Sequence, residues 1–239
     1  SSVGFSTVTI DMSGNVGYGP AINRAISQLD HDRPVLILTQ DAHLERQAAS
    51  RLLDALVSDR RTGVTVPILT FSEFPARIFS LGGRLLRNGR TLHRAQGEDA
   101  ELLRRISQDP FEVAWGDGAC MMVDTNLFRQ LGGFDENYFL YVEEVDYHLR
   151  VHLASRQVMM VPGALASQSP GYYSLYYKYR NLIYFTRKFD YLLLPWPWLL
   201  ALPKDIYRMA RLGRPFEVFW ALRGILDQRR RAYGQRPAR

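Results

Sequence analysis

Short apolar runs alternate with segments of helical period along the first third of this chain, and that alternation constrains its fold more than any other feature. Val35-Leu-Ile-Leu38 is a continuous apolar run, the pattern of a strand buried on both faces, and Arg33-Pro34 breaks the chain just before it. Over residues 45–59 the apolar positions Leu52, Leu53, Leu56 and Val57 share one helical face, and residues 64–69 return to strand. Upstream, residues 6–10 form a β-branched run that reads as a strand. A glycine-rich turn at 14–20 follows, and Pro20 suits the first turn of a helix whose Ile22, Ala25, Ile26 and Leu29 line up on one side. This order implies an α/β architecture with parallel strands.

Residues 71–109, interrupted by Gly82, Gly83, Gly89 and Gly97, predict mobile loops and are assigned no chemistry. Strand candidates follow at 111–114 and 119–123, then a short helix ending at Gly132-Gly133 and an acidic helix around Glu143. With 239 residues and 46% apolar content, the chain can bury the core of one large domain or two small ones, which excludes a disordered or fibrous class. A single cysteine, Cys120, excludes an internal disulfide. No signal-peptide pattern opens the sequence, so a reducing cytoplasm is the natural compartment.

Two acidic positions are candidates for chemistry. In an open α/β sheet, ligands collect beyond the carboxyl ends of strands, which draws attention to Thr39, Gln40, Asp41 and His43 just after Val35–Leu38. Asp41 suits a divalent cation shared with phosphate oxygens, but a lone Asp after a strand caps the next helix as readily, and pattern alone leaves both readings open. His43, expected in the first turn of a surface helix, is either a ligand or simply solvated. The second position is Glu143-Glu144-Val145-Asp146-Tyr147-His148-Leu149-Arg150, on a helix whose apolar stripe is Val142, Val145, Leu149 and Leu153. Glu144 points away from that stripe toward any substrate, and Asp146 is placed to brace Arg150. The competing reading is a solvated first turn enriched in acids by the helix dipole. His148 and His152 read as structural.

The run Gly132-Gly-Phe-Asp-Glu-Asn-Tyr-Phe-Leu-Tyr-Val-Glu-Glu-Val-Asp146 resembles the signature of family-2 glycosyltransferases, especially their rhamnosyltransferase-like branch. Three more segments agree in order. Asn15-Val-Gly-Tyr-Gly-Pro-Ala-Ile-Asn23 is similar to the family's Asn-x-Gly loop, Leu38-Thr-Gln-Asp-Ala42 occupies the place of its Asp-x-Asp motif, and Val161-Pro-Gly-Ala164 with Tyr176-Tyr177 to Arg180-Asn181 matches its closing strand and helix. The resemblance implies a GT-A fold, with a mixed sheet flanked by helices. It also implies a nucleotide diphosphate sugar donor, a divalent metal (Mn or Mg) and inversion at the anomeric carbon. By position, Asp41 would bind the metal and Glu144 would be the general base. Asn15, Gly17, Asn23, Thr39, Gln40 and Asp41 would line the donor, and Asp135, Glu136 and Glu143 the acceptor side. Thr39 replaces the first acid of Asp-x-Asp, Gln168 falls where many relatives carry a metal-binding His, and the family's first strand and acidic base-binding segment are expected to be missing before Ser6.

The remainder of the chain is basic and aromatic. From Lys178 onward 14 Lys and Arg stand against 4 Asp and Glu, within a net charge of +6 for the whole. Residues 191–203 include Trp196 and Trp198 but are too short and proline-rich to span a bilayer. The expected organisation is a catalytic domain over 1–188 and a helical, amphipathic tail over 189–239 that either meets an anionic membrane surface or packs on the domain or a second copy in a homo-oligomer. The functional expectation is a hexosyltransferase of cell-surface polysaccharide synthesis at the inner membrane face. Its acceptor would be a glycan or polyprenyl-linked glycan, and its donor sugar rhamnose. Two other classes are a GT-A-like protein that binds sugar nucleotide without turnover and a nucleic-acid-binding protein acting through the basic tail. No nucleic-acid-binding motif supports the latter.

Overall fold

A computed structural model describes residues 14–171, 174–191, 195–214 and 216–236, with the side chains of 195–201 left undescribed. The strand expected at 6–10 and the side chains of Trp196 and Trp198 lie outside the described residues. In chain order the elements are α1 (Tyr18–Ser27), β1 (Val35–Leu38), β2 (Ala42–Leu44), α2 (Ala48–Ser58), β3 (Thr62–Phe71), β4 (Ile78–Ser80), β5 (Gly83–Leu85) and β6 (Thr91–His93). A 3-10 turn (Ala100–Arg104) leads to β7 (Phe111–Glu112), β8 (Cys120–Val123), α3 (Thr125–Gln130), α4 (Glu143–Leu153), β9 (Gln157–Gln168), α5 (Leu175–Lys188), α6 (Pro195–Arg211) and α7 (Phe216–Arg229).

The sheet runs β1-β8-β3-β9-β2, with β4 added to β3 and β7 to β9. Among the described residues only β3 and β9 pair in parallel, so the sheet is mixed rather than parallel throughout. Helix–strand alternation is readable along the chain, but strand direction is set by long-range pairing. β3 is buried along most of its length because helices cover both faces. Val64, Val66 and Ile68 pack with Ile26 of α1, Leu127 and Phe128 of α3, and Tyr147 and Val151 of α4. On the opposite face Leu52 and Leu56 of α2 pack with Leu69, Cys120 and Met122. This is the period-2 alternation of a strand serving two layers. Complete burial of a side chain such as Leu52 contributes about 2 kcal/mol.

Two expectations need correction. β1 is an edge strand among the described residues, and Leu38 is 45% exposed rather than covered on both faces. Residues 71–109 are not loops alone. They form β4, the β5–β6 hairpin and the 3-10 turn, and bury Ile78, Phe79 and Leu81. Three-residue strands are too short to show a period in sequence.

The tail is helical and folds back. α7 lies along α5, with Gly224 so close that an added Cβ would stand 2.4 Å from the Tyr176 carbonyl oxygen. Tyr176 donates its hydroxyl to Asp227 at 3.0 Å, and Arg187 donates to Gln228 at 2.8 Å.

Candidate active site

The antiparallel pairing of Leu38 with Cys120 places the end of β1 beside the start of β8, and the end of β9 lies at the same edge. Three polar residues therefore gather there from distant parts of the chain. They are Asp41 after β1, Asp117 before β8 and Gln168 at the end of β9. α2 begins at Ala48 after Gln47, so Asp41 does not cap it. Gln168 instead approaches Asp41 with its amide nitrogen, 3.5 Å from the carboxylate, and leaves its own buried amide oxygen without a hydrogen-bond partner. Thr39 gives its backbone N–H to the Ala119 carbonyl at 2.9 Å and its hydroxyl to the same oxygen at 3.3 Å, tying the β1 end to the Asp117 loop.

Asp117 is a residue the sequence reading missed. The available signal was an Asp between two glycines joining two apolar strands. Its carboxylate accepts the Ala119 N–H at 2.8 Å, yet burial, with the nearby charge of Asp41, pushes it up to about 6. His93 approaches it at 4.0 Å. Burial holds that imidazole down at about 4, so it is neutral and no counter-charge for Asp117.

α4 delivers Glu143 and Glu144 to the same place. Burial raises both carboxyls; the Glu143 charge raises Glu144 further, and Asp117 raises both, while backbone hydrogen bonds and the Arg180 charge partly offset the effect at Glu143. Glu143 is 3% exposed with one carboxylate oxygen unpartnered, and Glu144 is partly open. A solvated acidic first turn is therefore not what the structure contains. An added Cβ on Gly118 would meet the Tyr18 hydroxyl at 3.3 Å and the Glu144 Cβ at 3.6 Å, so α1, the Asp117 loop and α4 converge there.

The backbone entering α4 is strained. Phe139, Tyr141 and Val142 all hold positive φ (69°, 70° and 77°), a region β-branched Val142 rarely adopts. Asn181 holds this segment by donating its amide to the carbonyls of Tyr138, Leu140 and Tyr141 at 3.1, 2.6 and 2.8 Å. Arg180 donates to the carbonyls of Asn137, at 3.2 Å, and Tyr138. Arg180-Asn181 thus acts as the clamp that aims Glu143 and Glu144.

Other expected site residues serve the loops. Asn23 donates to the Phe134 carbonyl at 2.9 Å and to Glu136 at 3.0 Å, and accepts the Phe134 N–H at 2.9 Å, so its whole amide holds the 133–136 segment. Gly17, at φ 97°, sits where a Cβ would come within 2.6 Å of the Phe139 carbonyl oxygen, which leaves room only for glycine. Asn15, Gln40 and Glu136 are exposed. Asp135 accepts from Lys188 at 2.6 Å and Tyr184 at 2.9 Å, which hold its carboxyl below the usual range against the opposing effect of burial. Asp146 forms the expected brace with Arg150 at 2.6 Å and also accepts from Lys188 at 2.6 Å. His43 lies exposed on β2 opposite Ser167, not in a helical turn. His148, held down at about 3 by burial, accepts the Gly116 N–H at 3.2 Å, and His152 contacts the Val113 and Ala114 carbonyls at 3.1 Å.

No protein-family model matches the chain. Over 167 residues it is 32% identical to the N-acetylglucosaminyl-diphospho-decaprenol L-rhamnosyltransferase of Mycobacterium tuberculosis, an alignment covering 63% of this chain and 54% of that protein. It is 28% identical over 145 residues to the low-salt glycan biosynthesis hexosyltransferase Agl10 of Haloferax volcanii, covering 59% of this chain and 45% of the relative. The chain thus spans about half the length of these curated relatives. Among solved structures, that of GalNAc-T7 with UDP, GalNAc and Mn2+ superposes with a TM-score of 0.54 at 13% identity, over 72% of this chain and 34% of that one, which speaks to the fold.

Proposed function

We propose that the chain is a rhamnosyltransferase-like glycosyltransferase of GT-A fold, and that it moves a sugar, rhamnose in the first instance, from a nucleotide diphosphate donor to a polyprenyl-linked glycan. The observation that carries this reading is the convergence of Asp41, Asp117 and the Glu143-Glu144 pair at one edge of the sheet. The decaprenol acceptor named for the mycobacterial relative supports the lipid-linked class.

A divalent cation fits these residues in a particular way. Among the described residues no three His, Cys, Asp or Glu side chains gather to hold a metal by themselves. Asp41 and the unpartnered amide oxygen of Gln168 provide a partial oxygen set of the kind that binds Mg or Mn together with substrate phosphates. Asp41 would hold the cation with Gln168 and Asp117 as neighbours, and His43 stands farther along β2. When bound, the cation supplies charge that offsets the departing diphosphate.

Glu144 takes the proton from the attacking acceptor hydroxyl as that oxygen displaces the diphosphate, in a single step that inverts the anomeric centre. Its raised pKa suits a base that works near neutral pH. Gly17 and Asn15 shape the donor loop with Thr39 and Gln40, while Asn23 and Asp135 act by holding the loops beside the acceptor.

A panel of nucleotide diphosphate sugars, assayed for nucleotide release with Mn or Mg and with chelator, tests the reading. Release from one donor, abolished by chelator and by Asp41→Asn, is expected, with the opposite anomer in the product by NMR. Calorimetric donor binding without release would show a binding protein instead.

A further inference from the structure

α7 is inside out. Its buried side carries Glu217, Asp227 and Gln228 beside Trp220, Ala221 and Gly224. Phe219, Leu222 and Leu226 face outward at 59, 49 and 47% exposure, within an arc of about 60° at helical spacing. Tyr207 of α6, Leu212 in the connecting turn and Phe216 at the start of α7 are exposed as well.

Charge is sorted the same way. The acids of this helix pair, Asp205, Glu217 and Asp227, are 8%, 8% and 2% exposed and point inward. Asp205 accepts from Lys178 at 2.6 Å and Tyr179 at 2.8 Å, and Asp227 from Tyr176 at 3.0 Å. Lys204, Arg208, Arg211, Arg229, Arg230 and Arg231 are exposed. Among the described residues, the outer surface of α6 and α7 offers apolar side chains and positive charge, with no carboxylate.

We infer that this surface docks on an anionic lipid bilayer, lying on the headgroup layer with Phe219, Leu222 and Leu226 inserted and the arginines on lipid phosphates. An apolar stripe facing water is costly, and an arginine fringe without acids is complementary to a negative sheet. A second copy of the chain would set arginine against arginine with no acid on the face to compensate. Nucleic acid has no use for three aliphatic and aromatic side chains at the centre. Spanning is not implied, since no described helix is long and apolar enough to cross a membrane. The face is preformed, because Gly224 and Tyr176 fix α7 against α5. The inference rests on exposure and charge and stands apart from sugar transfer.

The test is partition of the full chain onto vesicles of phosphatidylglycerol mixed with phosphatidylcholine, against phosphatidylcholine alone. Binding to the mixed vesicles should be roughly tenfold or more tighter, and should fall by roughly a hundredfold in Arg229→Glu/Arg230→Glu/Arg231→Glu. Phe219→Ser/Leu222→Ser/Leu226→Ser should lose at least about tenfold. These residues are exposed, so melting should be unchanged. Should the serine variant nonetheless melt early, Leu222→Cys carrying an environment-sensitive dye decides independently, because Cys120, the one native thiol, is buried. Its emission should shift blue with mixed vesicles. Equal partition to both lipids, an unshifted dye, or a concentration-dependent dimer that the serine variant dissolves would each overturn the inference.

Discussion

Tyr18, at the start of α1, donates its hydroxyl to the carbonyl of Gly118 at 2.6 Å, joining two loops 100 residues apart at the point where Asp117 and Glu144 meet. Removing that hydroxyl leaves the Gly118 carbonyl short of its partner. Tyr18→Phe should therefore lose about 1 kcal/mol of stability by thermal denaturation. It should also raise the donor KM more than it lowers kcat, because the Asp117 loop is loosened rather than the base removed.

Asp117 is held against its own preference. Its folded pKa of about 6 lies above the ordinary 3.8, so the folded state retains a proton that the unfolded state has released. Stability from this group is present below the ordinary value and is lost as pH rises through about 6. Asp117→Asn should then stabilise the fold at pH 7, by up to about 2 kcal/mol, while lowering nucleotide release. Chemical denaturation at pH 4 and pH 7 measures this. An equal effect at both values would refute it.

As the proposed base, Glu144 would have to be ionised to accept a proton, and burial with its acidic neighbours raises its pKa. The pH profile of kcat/KM should climb with pH, with a midpoint above the ordinary 4.5 for a glutamate. Glu144→Gln should flatten that limb and reduce kcat by roughly 10²-fold or more.

Asp146 is fully buried between Arg150 and Lys188. Asp146→Asn leaves two cations facing a neutral group and should cost about 3 kcal/mol or more. Replacing Lys188 by Met should cost less than this, since Arg150 remains.

Gly224→Ala would drive a Cβ into the Tyr176 backbone carbonyl, a contact no rotamer relieves. α7 should separate from α5 at a cost of about 1–3 kcal/mol, and hydrogen exchange should show the loss of protection in both helices.

Much of this was legible along the chain. α1, α2, α3 and α4 fall where apolar periodicity and glycine punctuation predict them, and the Glu143-Glu144 pair was visible as a motif. The β4–β6 region was not, because strands of three residues carry no measurable period. Asp117 was also hidden, since an Asp between glycines reads as a turn until β1 and β8 are paired.

The sequence by itself determined the α/β class, the order of its elements, and the acids after β1 and at the start of α4, because these are encoded in local spacing. Tertiary structure decided the rest. Strand direction made the sheet mixed and brought Asp41, Asp117 and Gln168 to one edge, and Arg180 and Asn181 fixed the strained turn that aims the acidic pair. It also decided which side of α7 meets water. That helix carries apolar side chains on both faces, Trp220 and Ala221 inward and Phe219, Leu222 and Leu226 outward, so periodicity alone cannot say which is buried, and only the docking of Gly224 and Asp227 against Tyr176 settles it.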